Sequence, residues 1–223
     1  MASVKKAIAD LTGSEEDKTK AKEQLDFLKN SAETKLQLIS DEIEKKLSGQ
    51  GDLNGLYIVP DSIVGTSKEY YVESGEGVSD AIKSAVDNFF SGSKDDVKAG
   101  FCKIVESALD TLLGNTEVGE SQQDYYFVMM EHNAFVRVDI GMWKYYFSQK
   151  GIISDAQQAL CYSFYKSVID HTKVSEDTMI YLVSEYVGDD LEVVKKFMDE
   201  IRELYKDLEG TSPESNKAKF VSN

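Results

Sequence analysis

The chain has 223 residues, of which 41% are hydrophobic and 10% aromatic, so it is long enough to bury the core of one domain. Its net charge of -15 and pI near 4.6 create a field that repels phosphate backbones and anionic headgroups, which excludes nucleic acid as an expected partner. The N-terminus turns polar at once instead of continuing into an apolar run. This predicts a cytoplasmic protein, or one exported without a cleavable signal peptide.

A long amphipathic helix is predicted for residues 14–48. Ser14 precedes three acidic residues, as an N-cap does. Apolar residues then recur every three or four positions, at Leu25, Leu28, Ala32, Leu36, Ile39, Ile43 and Leu47. Off this narrow stripe only Phe27 and Leu38 are large and apolar. The pattern predicts an N-terminal helical segment, 1–50, packed on or extending from the body; a coiled-coil arm that forms a homo-oligomer through the 14–48 helix is the alternative.

Residues 53–75 break this helical rhythm. Two β-prone runs, LYIVP and EYYVES, flank DSIVGTSK, and Pro60 cannot continue a helix. A small β-hairpin or an ordered loop is therefore predicted here. Glycines then delimit two amphipathic helices, over 78–91 and 93–114.

The next segment, DYYFVMMEHNAFVRVDIGMWKYYFSQKG, is rich in aromatic residues. Its interior charges exclude a constitutive membrane span. Apolar residues at spacings of three and four, together with Gly151 placed as a C-terminal cap, favour one helix over about 121–149. The alternating run AFVRVDI supports a hairpin instead, turning at EHNA without a strong turn dipeptide. The helix is preferred, and it would form the buried axis of the domain.

Three further helices are predicted, over 154–171, 175–188 and 189–208, and the tail 210–223 is predicted to be disordered. The fold class is accordingly mainly α, a multi-helix bundle around the apolar central helix. Residues 51–209 would make up the helical body.

Motifs of catalysis and metal binding are missing from the sequence, which has no HExxH, CxxC, P-loop or GxSxG. Neither His132 nor His171 has a second His or a Cys at metal-ligand spacing. Cys102 and Cys161 lie at apolar positions, which predicts buried, reduced thiols. No catalytic residue, metal site or cofactor is predicted.

Candidate binding residues lie in and near the aromatic segment. Arg137 and Asp139 are charged among apolar neighbours, so each must be paired or reach solvent. An ion pair between Arg137 and a carboxylate from another helix is preferred to a ligand contact. The aromatic candidates, which either fill the core or line an apolar pocket, are Tyr126, Trp143, Tyr145 and Tyr162.

The leading functional hypothesis is a non-catalytic helical protein that binds a protein partner, an apolar small molecule or a lipid through helix faces or an aromatic-lined cleft. The absence of catalytic motifs favours it. The alternative is conditional membrane activity, by pore formation or lipid binding, in which the central helix leaves its sheath of amphipathic helices. An enzyme with a dispersed site is the third hypothesis.

Overall fold

The computed structural model describes residues 14–72, 75–90, 95–114, 118–132, 134–146 and 158–210. This part of the chain forms five α-helices and four β-strands. In chain order they are α1 (Glu15–Lys45), β1 (Ile58–Val72), α2 (Gly75–Phe89), α3 (Asp95–Gly114), β2 (Gly119–Glu131), β3 (Ala134–Tyr146), β4 (Gln158–Ile169), α4 (Glu176–Val187) and α5 (Leu191–Gly210). A π-helical turn, Lys46–Gln50, follows α1, and a 3-10 turn, His171–Lys173, precedes α4.

The four strands form one antiparallel sheet in the order β1-β4-β3-β2. The predicted mainly α bundle is therefore wrong, because the domain is a mixed α/β fold. The central helix over 121–149 is wrong as well, since this stretch is the β2–β3 hairpin. Glu131 pairs with Ala134, so the chain turns within EHNA. His132 there has a φ of 51°, which histidine adopts more readily than most non-glycine residues.

Burial on both faces explains why β3 resembled a helix. Ten consecutive residues, 135–144, are buried, so apart from Arg137, Asp139 and Lys144 the strand lacks the regularly spaced polar positions of a half-exposed strand. A nearly continuous apolar run also satisfies the three- and four-residue spacing of a helix. The predicted helix over 154–171 fails for the same reason, because β4 is buried along most of its length.

The predictions for segments with one exposed face are confirmed. The long N-terminal helix is α1, the helices over 78–91 and 93–114 are α2 and α3, and the last two predicted helices are α4 and α5. The hairpin or ordered loop predicted near 53–75 is wrong for residues 58–72, which form one long strand, β1, that pairs with β4. The predicted disordered tail lies outside the described residues from position 211 onward.

Helix α1 covers one face of the sheet and approaches it closely over β3. A Cβ built on Gly141 would lie 2.3 Å from Ile39 Cγ2. Beside this contact, Ser40 Oγ and Ser163 Oγ share a buried hydrogen bond of 3.1 Å. Small residues on β3 and β4 thus make room for the helix.

The opposite face is covered by α2 and α3. Phe101 of α3 packs edge-on against Phe164 of β4, with ring centroids 5.5 Å apart. Helices α4 and α5 pack at the end of the sheet that carries the β2–β3 turn, where Met179 and Val183 join the cluster of Met130. Every described helix therefore packs against a part of the sheet or against a neighbouring helix.

The membrane-active hypothesis required an apolar helix at the centre of the domain. In the described residues that position is taken by β3 and β4 instead. None of the described helices combines the length and apolar character that a membrane span needs. The observation that motivated this hypothesis is thereby removed.

Candidate functional site

Arg137 and Asp139 form a buried ion pair on β3. Arg137 Nε and Nη2 donate to the two carboxylate oxygens of Asp139, each over 2.8 Å. Arg137 Nη1 donates to the Leu53 carbonyl oxygen over 2.8 Å, and the Tyr126 ring centroid lies 4.3 Å from Arg137 Cζ. The expected carboxylate from another helix is thus a residue of the same strand. Because the guanidinium binds groups of the protein through all three nitrogens, the pair anchors the α1–β1 connection to the sheet.

Trp143 and Tyr145 line a groove of about 510 Å³ between α1 and the β2–β3 hairpin. We call it the α1 groove. Its other lining residues are Phe27, Asn30, Ser31, Thr34, Lys35 and Glu120. Trp143 is only 1% exposed and forms the floor, whereas Phe27 is 47% exposed and forms a wall. The groove therefore offers aromatic surface to solvent at a fixed position.

Polar groups hold the groove in shape. Glu120 Oε2 accepts hydrogen bonds from Lys35 Nζ at 2.7 Å and from Trp143 Nε1 at 3.0 Å. The bond from Lys35, and then that from Trp143, lower the pKa of the Glu120 carboxyl group. Phe27 and Tyr145 meet edge to face, with ring centroids 5.6 Å apart. Helix α1 and strand β2 are thereby linked across the groove.

The six predicted binding residues divide between the two faces of the sheet. Strand register pairs Tyr126 with Asp139, and alternation along the two strands places five candidates on the α1 face. They are Tyr126, Arg137, Asp139, Trp143 and Tyr145. Tyr162 lies on the opposite face beside Tyr71, in a separate groove of about 580 Å³ next to α2. The candidates therefore belong to an ion-pair cluster and two grooves, not to one site.

Sequence reasoning missed six lining residues of the α1 groove, among them Phe27, Lys35 and Glu120. The sequence did contain a signal for Phe27, because Phe27 and Leu38 are the large apolar residues of α1 that lie outside its buried stripe. Eleven helical residues turn through about 1100°, so Phe27 and Leu38 project within about 20° of each other. Both are about half exposed, at 47% and 49%. The sequence contains no comparable signal for Lys35 and Glu120, because they come together only when α1 packs beside β2.

A third groove, of about 380 Å³, lies between α4 and α5. Met179, Met198 and Ile201 form its apolar side, and Arg202 lies at its rim. Arg202 is already paired with Glu176 at 2.9 Å and with Asp199 at 3.2 Å. Within the described ranges, no group of three or more His, Cys, Asp or Glu side chains is arranged to hold a metal ion.

Comparison with known proteins does not assign the chain to a family. No protein-family model matches the chain, and no curated protein matches it significantly. The case for a function therefore depends on the surfaces of the molecule itself.

Proposed function

We propose that this protein acts by binding a protein partner, and that an apolar or aromatic side chain of the partner enters the α1 groove. The observation that carries the proposal is the pairing of a buried aromatic floor, Trp143, with a half-exposed aromatic wall, Phe27, in one groove. Aromatic walls with a few fixed polar groups are typical of binding sites.

The energetics favour recognition of a side chain over tight capture of a small molecule. Fully burying a Phe side chain is worth about 1.5–3 kcal/mol, so covering the exposed half of Phe27 contributes roughly 1 kcal/mol. A single side chain gains few such contributions and loses translational and rotational freedom on binding, so an isolated side chain would bind with a dissociation constant on the order of millimolar. A protein partner adds further contacts on the surface around the groove.

The test uses the only tryptophan of the chain. Trp143 Nε1–H gives one indole signal in a ¹H–¹⁵N spectrum, and this group lies at the groove floor. N-acetyl-phenylalanine amide and N-acetyl-leucine amide serve as side-chain mimics. We expect both to shift the Trp143 indole signal and the backbone amides of Phe27 and Tyr145 in a saturable manner.

Two variants make this test specific. Phe27→Ala removes the exposed wall and should abolish the saturable shift, whereas Tyr181→Ala truncates a tyrosine that is 63% exposed on α4 and should leave it unchanged. Shifts that persist in Phe27→Ala, or that are equal across the whole surface, would disprove binding in the groove.

A further inference from the structure

Strand β2 is the outermost strand of the sheet beside the α1 groove. It pairs with β3 on one side, and no described strand pairs with its other side. It is 13 residues long and contains no proline. An unpaired edge strand presents a row of backbone N–H and C=O groups that can pair with another chain.

The hairpin register defines which backbone groups of β2 point outward. A connection of two residues makes Glu131 and Ala134 a hydrogen-bonded pair. Hydrogen-bonded and non-hydrogen-bonded pairs alternate along an antiparallel ladder, and the β2–β3 register runs without a shift. The even-numbered residues of β2, including Gln122, Asp124 and Tyr126, therefore direct their N–H and C=O groups away from β3.

The opposite edge of the sheet, in contrast, is irregular over its first part, before Gly65. Strand β1 carries a register irregularity between Ile58 and Ile63, contains Pro60, and places Asp61 at a φ of 57°. Ser62 Oγ contacts both the backbone N–H and the carbonyl of Val168, at 3.3 and 3.1 Å. Bulges and proline are devices that prevent pairing at sheet edges. Among the described residues, therefore, the β1 edge is blunted at one end, and the β2 edge runs in regular register without a further strand.

The open part of β2 spans residues 120–127. Toward the end of the strand Met129 and Met130 are buried, Met130 among residues of α4. Over the open part, Gln122, Asp124 and Tyr126 are exposed on the α1 face. A strand added here would direct alternate side chains toward the same face, next to the α1 groove.

Charge indicates which kind of strand fits. Strand β2 carries three carboxylates and no Lys or Arg, in a chain with a net charge of -15. Glu120 is paired with Lys35 and Glu131 with Lys166. Asp124, which accepts a hydrogen bond from Gln122, is therefore the carboxylate of the open part that a basic side chain would meet. Two copies of β2 would bring like charges together, which is unfavourable across paired strands. Basic and apolar residues that follow each other on the face pointing toward α1 match both Asp124 and the aromatic groove.

We infer that β2 accepts a fifth strand from a basic partner polypeptide, paired along residues 120–127. This inference rests on the proposed function for the groove, because it assigns to the partner in that groove an extended backbone and a positive charge. Backbone hydrogen bonds would supply affinity, and the α1 groove would select an apolar side chain.

The experiment uses a capped ten-residue peptide with the repeat Lys-Thr-Val-Thr as the probe, which places Lys and Val on one face of the added strand, and its Glu-Thr-Val-Thr counterpart as the charge control. Hydrogen exchange of the β2 amides is followed by NMR in the full chain. In the free protein, the amides of Gln122, Asp124 and Tyr126 should exchange fast. Saturating Lys peptide should slow them by roughly tenfold or more, with little change at Gln123.

A backbone variant separates strand addition from groove binding. Gln122→Pro removes an outward N–H while keeping the β2–β3 hydrogen bonds, and Gln122→Ala is the matched side-chain control. Asp124→Pro is a second blocking variant, and thermal unfolding verifies that each variant folds. Loss of peptide binding in both proline variants, with binding kept in Gln122→Ala, is the expected result.

The contrary results are distinct. Peptide binding that survives both proline variants but is lost in Phe27→Ala would overturn strand addition and leave groove binding intact. Equal affinity for the Glu peptide would overturn the basic partner. Protection of the even amides by raised protein concentration alone would assign the edge to a second copy, and no protection with 1 mM Lys peptide would overturn the inference outright.

Discussion

Ile39 of α1 lies so close to Gly141 of β3 that a methyl group on Gly141 would sit 2.3 Å from Ile39 Cγ2. The contact is between a helix and a strand that are both held by other interactions, so neither can retreat cheaply. Ile43 Cδ1 would lie 3.5 Å from the same methyl group. The packing of α1, and with it one wall of the α1 groove, depends on a residue without a side chain.

Substitution of Gly141 should therefore be costly. Overpacking of a filled core typically costs about 1–3 kcal/mol, and Gly141→Ala should reach or exceed the upper part of that range in urea unfolding. Gly114→Ala is the matched control, since a Cβ at Gly114 meets nothing within 4 Å. Equal unfolding free energies for the two variants would contradict the packing described.

The Arg137–Asp139 pair provides a second prediction. Removal of one member of a buried ion pair leaves the other charge uncompensated and typically costs about 3–5 kcal/mol. Asp139→Ala should show a loss of this size in denaturant unfolding. Glu200→Ala, which breaks the exposed Lys196–Glu200 contact, should change stability by less than about 1 kcal/mol.

The raised pKa of Tyr165 predicts that the folded protein loses stability in alkali. Burial, and then its hydrogen bond to Glu44, raise the pKa of Tyr165 to about 12, above the unfolded value of about 10. Between about pH 10 and pH 12 the unfolded chain thus loses this proton before the folded chain does. The folded state binds more protons in that window, so stability falls as pH rises. Tyr165→Phe should reduce the slope of the unfolding free energy against pH in this window, as measured by urea unfolding at a series of pH values; an unchanged slope would contradict the prediction.

The two cysteines should differ in reactivity. Cys161 is fully buried and burial raises the pKa of its thiol to about 12, whereas Cys102 is half-buried. Since the thiolate is the reactive form, iodoacetamide at pH 8 should alkylate Cys102 first and Cys161 only on unfolding. Peptide mapping by mass spectrometry measures both sites, and guanidinium chloride should make their rates similar. Early labelling of Cys161 in the native protein would contradict its burial.

The sequence could predict the helices that keep one face in water. In α1 and α5 the buried residues recur at helical spacing and the remaining positions are polar, so periodicity reports the true secondary structure. In β3 and β4, helices pack on both faces of the sheet, so residues that point to either face are buried. The alternation of buried and exposed positions that marks a strand is therefore lost. The only local trace of a strand was the run AFVRVDI, which contains Arg137 and Asp139.

Prediction of the site was limited by a different factor. Trp143 and Tyr145 could be selected as candidates from residue type alone. Their groove also needs Lys35 and Glu120, which are 85 positions apart in the chain and meet only when α1 lies beside β2. Tyr162 was grouped with them because nothing in a single sequence tells which face of an unrecognised strand a tyrosine occupies.

The contrast between the two sheet edges bears on how copies of the molecule could stack. Head-to-tail stacking would pair β2 of one molecule with β1 of the next. The register shifts between Ile58 and Gly65, together with Pro60 and the positive φ of Asp61, leave only residues 65–72 of β1 in regular register. The matching length of the two edges is thereby shortened, which disfavours the extended strand ladders on which fibres are built.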